Sequence, residues 1–390
     1  MNRRYLLLVA LVALVATAGC LGMGDDNGDI ETDDNGVDDG NGDANGDDAN
    51  GDDGNGDALP DGQSLIDALA TDGPDLTDVT GTQVANTVME GQEVTTTFAV
   101  WERPPGVFRQ ELIETEDHPG FDAIIRNETA VWQYNNETNR ALTEPVDQTT
   151  APQSDYEQLA EMVTEATTVR TESVANRETY VVEATIDAGF GGEMQLIYWL
   201  DQETNYPLRQ AQQDSVTGSE STVTFEEVEF NQGIDDERFE FSPTDETLIL
   251  TESDLEPQEF ESPNVLANET DLSVIELETP DGFTEESVQY IRELSGDRAL
   301  IEYPGDEGEE LVLSITDPVT EGDAITEPDE TLDIAGVEVA IHEQPPVQET
   351  QQPGTVAAVW ELDGTQYVVS STLSQDDVVS IVENTLEAHE

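Results

Sequence analysis

The sequence predicts an α+β protein: a curved antiparallel half-barrel closed by helix, followed by a smaller α+β domain. Three observations predict this fold class. Residues 63–243 carry successive runs of alternating apolar and polar residues, which are typical of half-buried strands. Apolar residues at helical spacing occur in only a few short segments between these runs. A second set of strand-like runs, ending in an amphipathic segment, follows residue 246.

The first twenty residues have the pattern of an export signal. Arg3 and Arg4 precede an apolar run over residues 5–15, and small residues lead to Cys20, the only cysteine. The run is shorter than the roughly 20 residues that a spanning helix needs. This stretch resembles the lipobox of prokaryotic lipoproteins, with Thr17 where that family usually has leucine. The resemblance implies that Cys20 becomes the lipidated N-terminus, and either the general secretory or the twin-arginine route fits the signal.

Residues 21–62 are predicted to form a disordered acidic stalk. Residues 24–57 alone contain 13 Asp, nine Gly and six Asn, so they have almost nothing to bury. Repeated Asp-Gly-Asn triplets are reminiscent of calcium loops, but the terminal glutamate and flanking helices of such loops are missing from the sequence. We therefore expect a spacer between the membrane and the folded residues.

The charge of the chain excludes nucleic acid as a partner. Formal net charge is −77, with no lysine and only 12 arginines, whereas phosphate binding needs basic patches. The acidity extends beyond the stalk, since residues 63–390 hold 74 acids against ten arginines. At about 1 M salt the Debye length is about 3 Å, which screens such repulsion. The composition thus indicates a halophilic source, an archaeon.

The first folded domain is predicted over residues 63–245. Capping-box patterns at Ser64 and at Ser154 predict two helices, the second carrying Tyr156, Met162 and Ala166 at helical spacing. Runs rich in β-branched and aromatic residues predict the strands. These strands are expected at 79–89, 94–101, 107–114, 123–126, 130–134, 180–186, 194–200, 208–212 and 222–230.

Four segments of this domain resemble the LolA/LppX/RseB-type lipoprotein carriers. They are a strand–Pro turn–strand hairpin at 101–109, a turn with an aromatic strand at 127–134, a W-x-D-x-x-T-x-x-P-L-like stretch at 198–209 and a closing strand with an N-x-x-I-x-D-x-x-F-like turn at 225–239. The resemblance implies an incomplete antiparallel barrel around an apolar cavity that accepts acyl chains. It is closest to archaeal and sporulation-type branches of the family.

Seven apolar side chains are predicted to line this cavity. Each buried methylene of a ligand would contribute about 0.8 kcal/mol there. The alternative is that the same side chains fill an ordinary closed core, as they do in many small barrels. The predicted lining residues are Phe98, Val100, Phe108, Trp132, Tyr134, Leu196 and Tyr198.

The second domain is predicted over residues 246–390. Val288, Ile291 and Leu294 share a helical spacing, and Ser374 begins a last helix. Strands are expected at 272–277, 299–303, 311–316, 336–342, 356–362 and 366–371. The stretch over 336–374 resembles the domain of unknown function that follows LolA-like domains in sporulation-type lipoproteins. That resemblance implies no chemistry.

No motif of an enzyme, a metal centre or a cofactor site is found in the sequence. The histidines His118, His342 and His389 lack the spacing of zinc ligands, and no nucleophile elbow, Walker loop or dinucleotide fingerprint is present. We therefore expect a protein that is not an enzyme and carries no metal and no cofactor.

Three Asn-Glu-Thr sequons are expected to offer glycosylation sites in an exported chain. They begin at Asn127, Asn136 and Asn268. Together these features predict a membrane-anchored lipoprotein on the extracytoplasmic face, which binds lipid or lipoprotein cargo. The alternative is a non-catalytic sensor or interaction module of the RseB type, with an unknown protein partner.

Overall fold

The computed structural model describes most of the chain after residue 58. The described residues are 59–71, 76–89, 92–104, 106–115, 120–146, 160, 162–187, 193–214, 219–306, 308–318, 328–344 and 354–389. The predicted signal, Cys20 and nearly all of the predicted stalk lie outside them. Among the described residues, no helix combines the length and the hydropathy needed to cross a bilayer.

The described residues divide into two compact units. The first consists of those before residue 75 together with those between 153 and 218, and the second consists of those between 75 and 152 together with those after 218. The predicted domain boundary at 245/246 stays a prediction.

The first unit consists of helix α1 and four antiparallel strands in the order β10-β9-β8-β7. Its elements are α1 (Gly62–Thr71), β7 (Val163–Val174), β8 (Arg177–Asp187), β9 (Glu193–Asp201) and β10 (Pro207–Asp214). The side chain of Asp61 accepts hydrogen bonds from the backbone N–H and the hydroxyl of Ser64, both 2.9 Å long, and so caps α1. The cap therefore lies at Asp61, three residues before the predicted capping box at Ser64.

The second unit contains two sheets. In its first sheet the strand order is β12-β6-β5-β4-β3-β2-β1-β11, and all pairs except β12–β6 are antiparallel. These strands are β1 (Val79–Met89), β2 (Gln92–Arg103), β3 (Val107–Thr115), β4 (Ala123–Arg126), β5 (Ala130–Asn135), β6 (Arg140–Pro145), β11 (Glu220–Phe230) and β12 (Leu248–Leu250). Short 3₁₀ turns at Asp236–Phe239 and Glu252–Asp254 follow β11 and β12.

The second sheet has the order β13-β14-β15-β16-β20-β19-β18-β17 and packs helix α3 against one face. Tyr367 stacks on Trp360 in this core, with ring centroids 5.5 Å apart. The elements are β13 (Gln258–Glu259), α2 (Pro263–Glu269), β14 (Ser287–Arg292), β15 (Asp297–Pro304), β16 (Glu310–Asp317), β17 (Glu330–Ile334), β18 (Val337–Gln344), β19 (Thr355–Leu362), β20 (Thr365–Ser371) and α3 (Gln375–His389).

The described residues are mostly sheet, with few helices, rather than the α+β balance that the sequence predicts. All the strands predicted in the first domain are confirmed within a few residues. For β1 and β4 the predicted first and last residues are identical to those in the structure. The hairpin β15–β16 and the last helix, with Val378, Val382 and Leu386 buried, are confirmed too.

Three segments differ from the prediction. Ala166 lies in strand β7 and not in a helix, because the β-branched residues over 163–174 outweigh the apparent helical spacing. Val288 and Ile291 lie in strand β14, where burial alternates with period two. Residues 272–277 form no strand, although Leu272, Ile275 and Leu277 are buried. In residues 272–277, burial of an irregular segment therefore gives the same alternation of apolar residues as a strand.

Candidate ligand-binding face

The first unit packs α1 onto its strands through a small apolar core. Ile66 and Leu69 of α1 are completely buried against β8 and β9. Leu196 and Tyr198, two predicted lining residues, belong to this cluster and are each 6% exposed. Burial raises the pKa of the Tyr198 hydroxyl well above its usual value, so Tyr198 stays neutral. Both residues therefore pack beneath α1.

One face of the first sheet of the second unit carries a group of buried residues from β1, β2, β3, β4 and β11, and we call it the inner face. In adjacent strands, residues directly opposite each other point to the same side of a sheet. Register places Phe98 opposite Gln83, and Val100 opposite Gln110. Phe108 is paired with Glu102 and Arg126 in the next row. The buried residues of the inner face are Val79, Gln83, Thr96, Phe98, Val100, Phe108, Gln110, Ile124, Val223 and Phe225.

Trp132 and Tyr134 lie on the opposite face, which we call the outer face. Trp132 is opposite Ile125, and Ile125 is opposite Arg109, one residue out of phase with Phe108. The rings of Trp132 and Tyr134 instead contact Phe241, with centroid distances of 5.0 and 5.3 Å. The seven predicted lining residues therefore do not share one face. In the second unit, Phe98, Val100 and Phe108 lie on the inner face and these two aromatic residues do not.

The chain after β11 covers part of the outer face and is held there by arginines. Arg109 Nη1 donates to the backbone carbonyls of Arg238 and Glu240, at 3.2 and 3.4 Å. Arg103 Nη1 forms an ion pair with Asp236 at 2.7 Å. The Arg238 guanidinium lies 3.5 Å from the centroid of the Trp101 ring, which is a cation–π contact. The hairpin motif at 101–109 thus supplies the contacts that position the closing turn.

The W-x-D-x-x-T-x-x-P-L-like stretch forms a hydrogen-bonded turn between β9 and β10. Asp201 Oδ1 accepts bonds from the backbone N–H groups of Glu203 and Thr204 and from the Thr204 hydroxyl. Arg177 of β8 donates to both carboxylate oxygens. Burial works against the charged form of Asp201, but the bonds from Arg177 and Thr204 outweigh it, and the pKa is lowered. This motif has a structural role in the turn.

The N-x-x-I-x-D-x-x-F-like turn follows β11 and is hydrogen-bonded to the residues that precede β1. The Asp78 carboxylate, 3% exposed, accepts bonds from the backbone N–H groups of Gln232 and Gly233 at 2.7 and 3.0 Å. Asn231, at a φ of 59°, accepts a bond from the Thr77 N–H through its side chain. Asparagine tolerates this left-handed backbone better than most residues. Asp78 was missed by sequence reasoning, because its partners lie about 150 residues away.

The inner face also carries polar side chains that sequence reasoning missed. Thr96 pairs with Thr115, with 3.0 Å between their hydroxyl oxygens. Gln110 is 3% exposed, and among the described residues its Oε1 has no hydrogen-bond partner. The alternation of β3 could have identified Gln110, since it shares a face with Phe108. The inner face therefore combines aromatic rings with a buried hydroxyl pair and a buried amide.

The three sequons have different surroundings. Asn127 accepts bonds from Thr129 and Ala130 through Oδ1, while its Nδ2 donates to the Phe239 carbonyl at 3.3 Å. Asn268 lies in α2, and its Nδ2 donates to the Asn264 carbonyl at 2.6 Å. Asn136 is exposed in the turn between β5 and β6.

No group of three or more His, Cys, Asp or Glu side chains in the described part of the chain is arranged to hold a metal ion. His342 lies at the end of β18, with Nε2 buried and without a partner among the described residues. His118 lies outside those residues, and His389 ends α3.

Comparisons with known proteins give structural neighbours only. No family model matches the sequence, and no curated protein matches it significantly. The chain is similar to MucB at 14% identity, over 82% of this chain and 95% of that one, with a TM-score of 0.35. A structure of the Pseudomonas aeruginosa MucA/MucB complex matches at 16% identity, over 82% and 96%, with a TM-score of 0.33.

Shorter neighbours match about half of the chain. A LolA superfamily protein from Nitrosomonas europaea is 13% identical, over 47% of this chain and 99% of that one, with a TM-score of 0.27. The neighbours thus include MucB and the LolA superfamily. At these TM-scores, any function has to rest on this chain's own residues.

Proposed function

We propose that this chain is an exported lipoprotein that binds lipid or lipidated protein on the inner face. Cys20 anchors it at the extracytoplasmic face of the cell membrane, and it catalyses no reaction. The observation that supports binding is the inner face itself, where register places Phe98, Val100, Phe108 and Phe225 on one side of the sheet. Three of the seven predicted lining residues, Phe98, Val100 and Phe108, lie on this face.

A substitution that adds volume to the inner face tests the binding proposal. Val100→Phe adds a ring beside Gln110 on the inner face. We therefore expect the full chain purified from membranes to carry less lipid. The measurement is mass spectrometry of the extracted lipid per mole of protein. Val84→Phe is the matched control, because Val84 lies one residue out of phase with Gln83 on the outer face. Wild-type protein that carries no lipid would contradict the proposal.

Substitution of Cys20 tests the anchor. A single acyl chain gives only marginal membrane binding, and the acidic residues after Cys20 cannot supply a basic second signal. We therefore propose that Cys20 carries more than one acyl or isoprenoid-type chain. Cys20→Ser should release the protein from membranes or leave it unprocessed, whereas Thr17→Leu should be processed like wild type. A Cys20→Ser protein that stayed membrane-bound with unchanged mobility would disprove the anchor.

A second candidate function is the non-catalytic sensor or interaction module. It is favoured by one observation, a direct connection between the two sheets of the second unit. Arg140 Nη1 donates to the Glu293 carbonyl at 3.0 Å and pairs with Asp297, and the Thr138 hydroxyl donates to the Leu294 carbonyl at 2.7 Å. Such contacts could couple a ligand on one sheet to a protein partner on the other. Crosslinking in intact cells, with and without Arg140→Met, would detect that partner.

A further inference from the structure

Gln110 occupies the middle of the inner face. It lies on β3, opposite Val100 on one side and Ile124 on the other. Phe108 precedes it by two residues on the same face and is 5% exposed. The Gln110 side chain is therefore surrounded by the apolar groups on which the proposed acyl chain would lie.

The amide oxygen of Gln110 lacks the partner that buried oxygens normally have. Roughly nine in ten or more buried polar groups in native proteins are hydrogen-bonded, and an unpaired one destabilises the folded state. Gln110 Oε1 is buried and has no partner among the described residues, whereas the nearby Thr96 hydroxyl pairs with Thr115. An apolar residue of similar length would pack at position 110 without this cost.

We infer that Gln110 Oε1 accepts a hydrogen bond from the bound ligand. This rests on the proposed function and adds the chemistry of the ligand: an acyl chain that carries an N–H or O–H donor beside the chain. An N-acyl amide, as at the terminus of a lipidated protein, has such an N–H, and a monoacylglycerol has such an O–H. A simple acyl ester has neither, so it would leave Gln110 Oε1 unpaired.

Three palmitoyl probes distinguish these ligands on the full delipidated chain. They are N-palmitoyl-glycine methyl ester, monopalmitoylglycerol and methyl palmitate, which has no donor. Wild-type protein should bind one or both donor probes more tightly than methyl palmitate. Gln110→Met should weaken the donor probes about 3- to 10-fold, as expected for one hydrogen bond, and leave methyl palmitate unchanged. Whichever donor probe loses affinity identifies the source of the donor.

Control variants separate this role from a packing defect. Thr168→Val removes another buried side-chain oxygen that lacks a partner among the described residues, in β7 of the first unit and not on the inner face, and should not change the preference. Gln110→Leu provides a second variant if Gln110→Met does not fold. The inference is overturned if methyl palmitate binds wild type as well as the donor probes, or if the Gln110 variants only raise the Tm and leave all affinities unchanged. If no probe binds wild type, the proposed function fails as well.

Discussion

Arg177 donates two hydrogen bonds to the carboxylate of Asp201, 2.6 and 3.0 Å long, where β9 ends. The Asp201 side chain is only 1% exposed, while that of Glu203, which also contacts Arg177, is 80% exposed. A carboxylate that accepts bonds from both a guanidinium and the backbone stabilises the turn only while it is charged. The turn before β10 therefore depends on the ionisation of Asp201.

This ion pair predicts a pH dependence of stability. The pKa of Asp201 is lowered in the folded state, so the unfolded state takes up the proton at a higher pH. The contribution of Asp201 is present above the unfolded-state pKa of about 4 and is lost as the pH falls through the lower folded-state pKa. In Asp201→Asn, the free energy of unfolding should depend less on pH between the unfolded-state pKa and the lower folded-state pKa. Glu203→Gln is the exposed control, and an equal effect of both would contradict this role.

Helix α1 should not tolerate a larger first residue. A Cβ on Gly62 would lie 2.7 Å from the backbone of Thr167 in β7. Helix propensity alone predicts that Gly62→Ala gains up to about 1 kcal/mol, whereas overpacking costs about 1–3 kcal/mol. We expect a net loss in urea unfolding, with α1 released first in hydrogen exchange. A stabilised Gly62→Ala variant would show that the helix can shift away from Thr167.

The contact between Arg140 and Asp297 should couple the two sheets of the second unit. Their side chains are 11% and 18% exposed, so solvent screens the pair little. In a double-mutant cycle with Arg140→Met and Asp297→Asn, we expect a coupling of about 0.5–3 kcal/mol. The control pair is Arg170–Glu172, whose side chains are 50% and 37% exposed and whose coupling should be below about 1 kcal/mol. Equal coupling in both pairs would rule out a special role for Arg140.

Among the three sequons, Asn136 should be the one that carries a glycan. The glycan attaches to Nδ2, and in the folded chain that atom donates to the backbone in Asn127 and in Asn268. Asn136 lies exposed in its turn. Asn136→Gln should remove the glycan mass seen by mass spectrometry of protein from the native host, while Asn127→Gln and Asn268→Gln should leave it. A glycan found on Asn127 alone would contradict this ranking.

The acidity of the folded residues predicts that stability rises with salt. Ten arginines face 74 acids over residues 63–390, and exposed charges more than a Debye length apart are screened. The Debye length falls from about 10 Å at 0.1 M to about 3 Å at 1 M. The Tm should therefore rise steeply between these concentrations of KCl. A Tm independent of salt would contradict the interpretation as a halophilic protein.

Strand positions were predictable because alternation is a local property of the sequence. The bounds of β1 and β4 follow from runs of β-branched and apolar residues flanked by turn residues. Secondary structure was easier to predict in the first domain than in the second. In the second domain, the spacing of Val288 and Ile291 suits a helix as well as a strand. Short apolar runs fit both periods, and only pairing with β15 decides between them.

The sequence by itself determined the charge of this chain and the positions of many of its strands, and it predicts an export signal with Cys20. The tertiary structure decided which face each side chain occupies. Phe98 and Trp132 both alternate correctly within their own strands, yet they lie on opposite faces, because the register from β2 through β3 and β4 to β5 sets their relative phase. Hydrogen bonds between distant residues create that phase, so no local pattern contains it. Alternation within β3 puts Gln110 on the same face as Phe108, but only pairing with Val100 and Ile124 places it in the middle of the inner face.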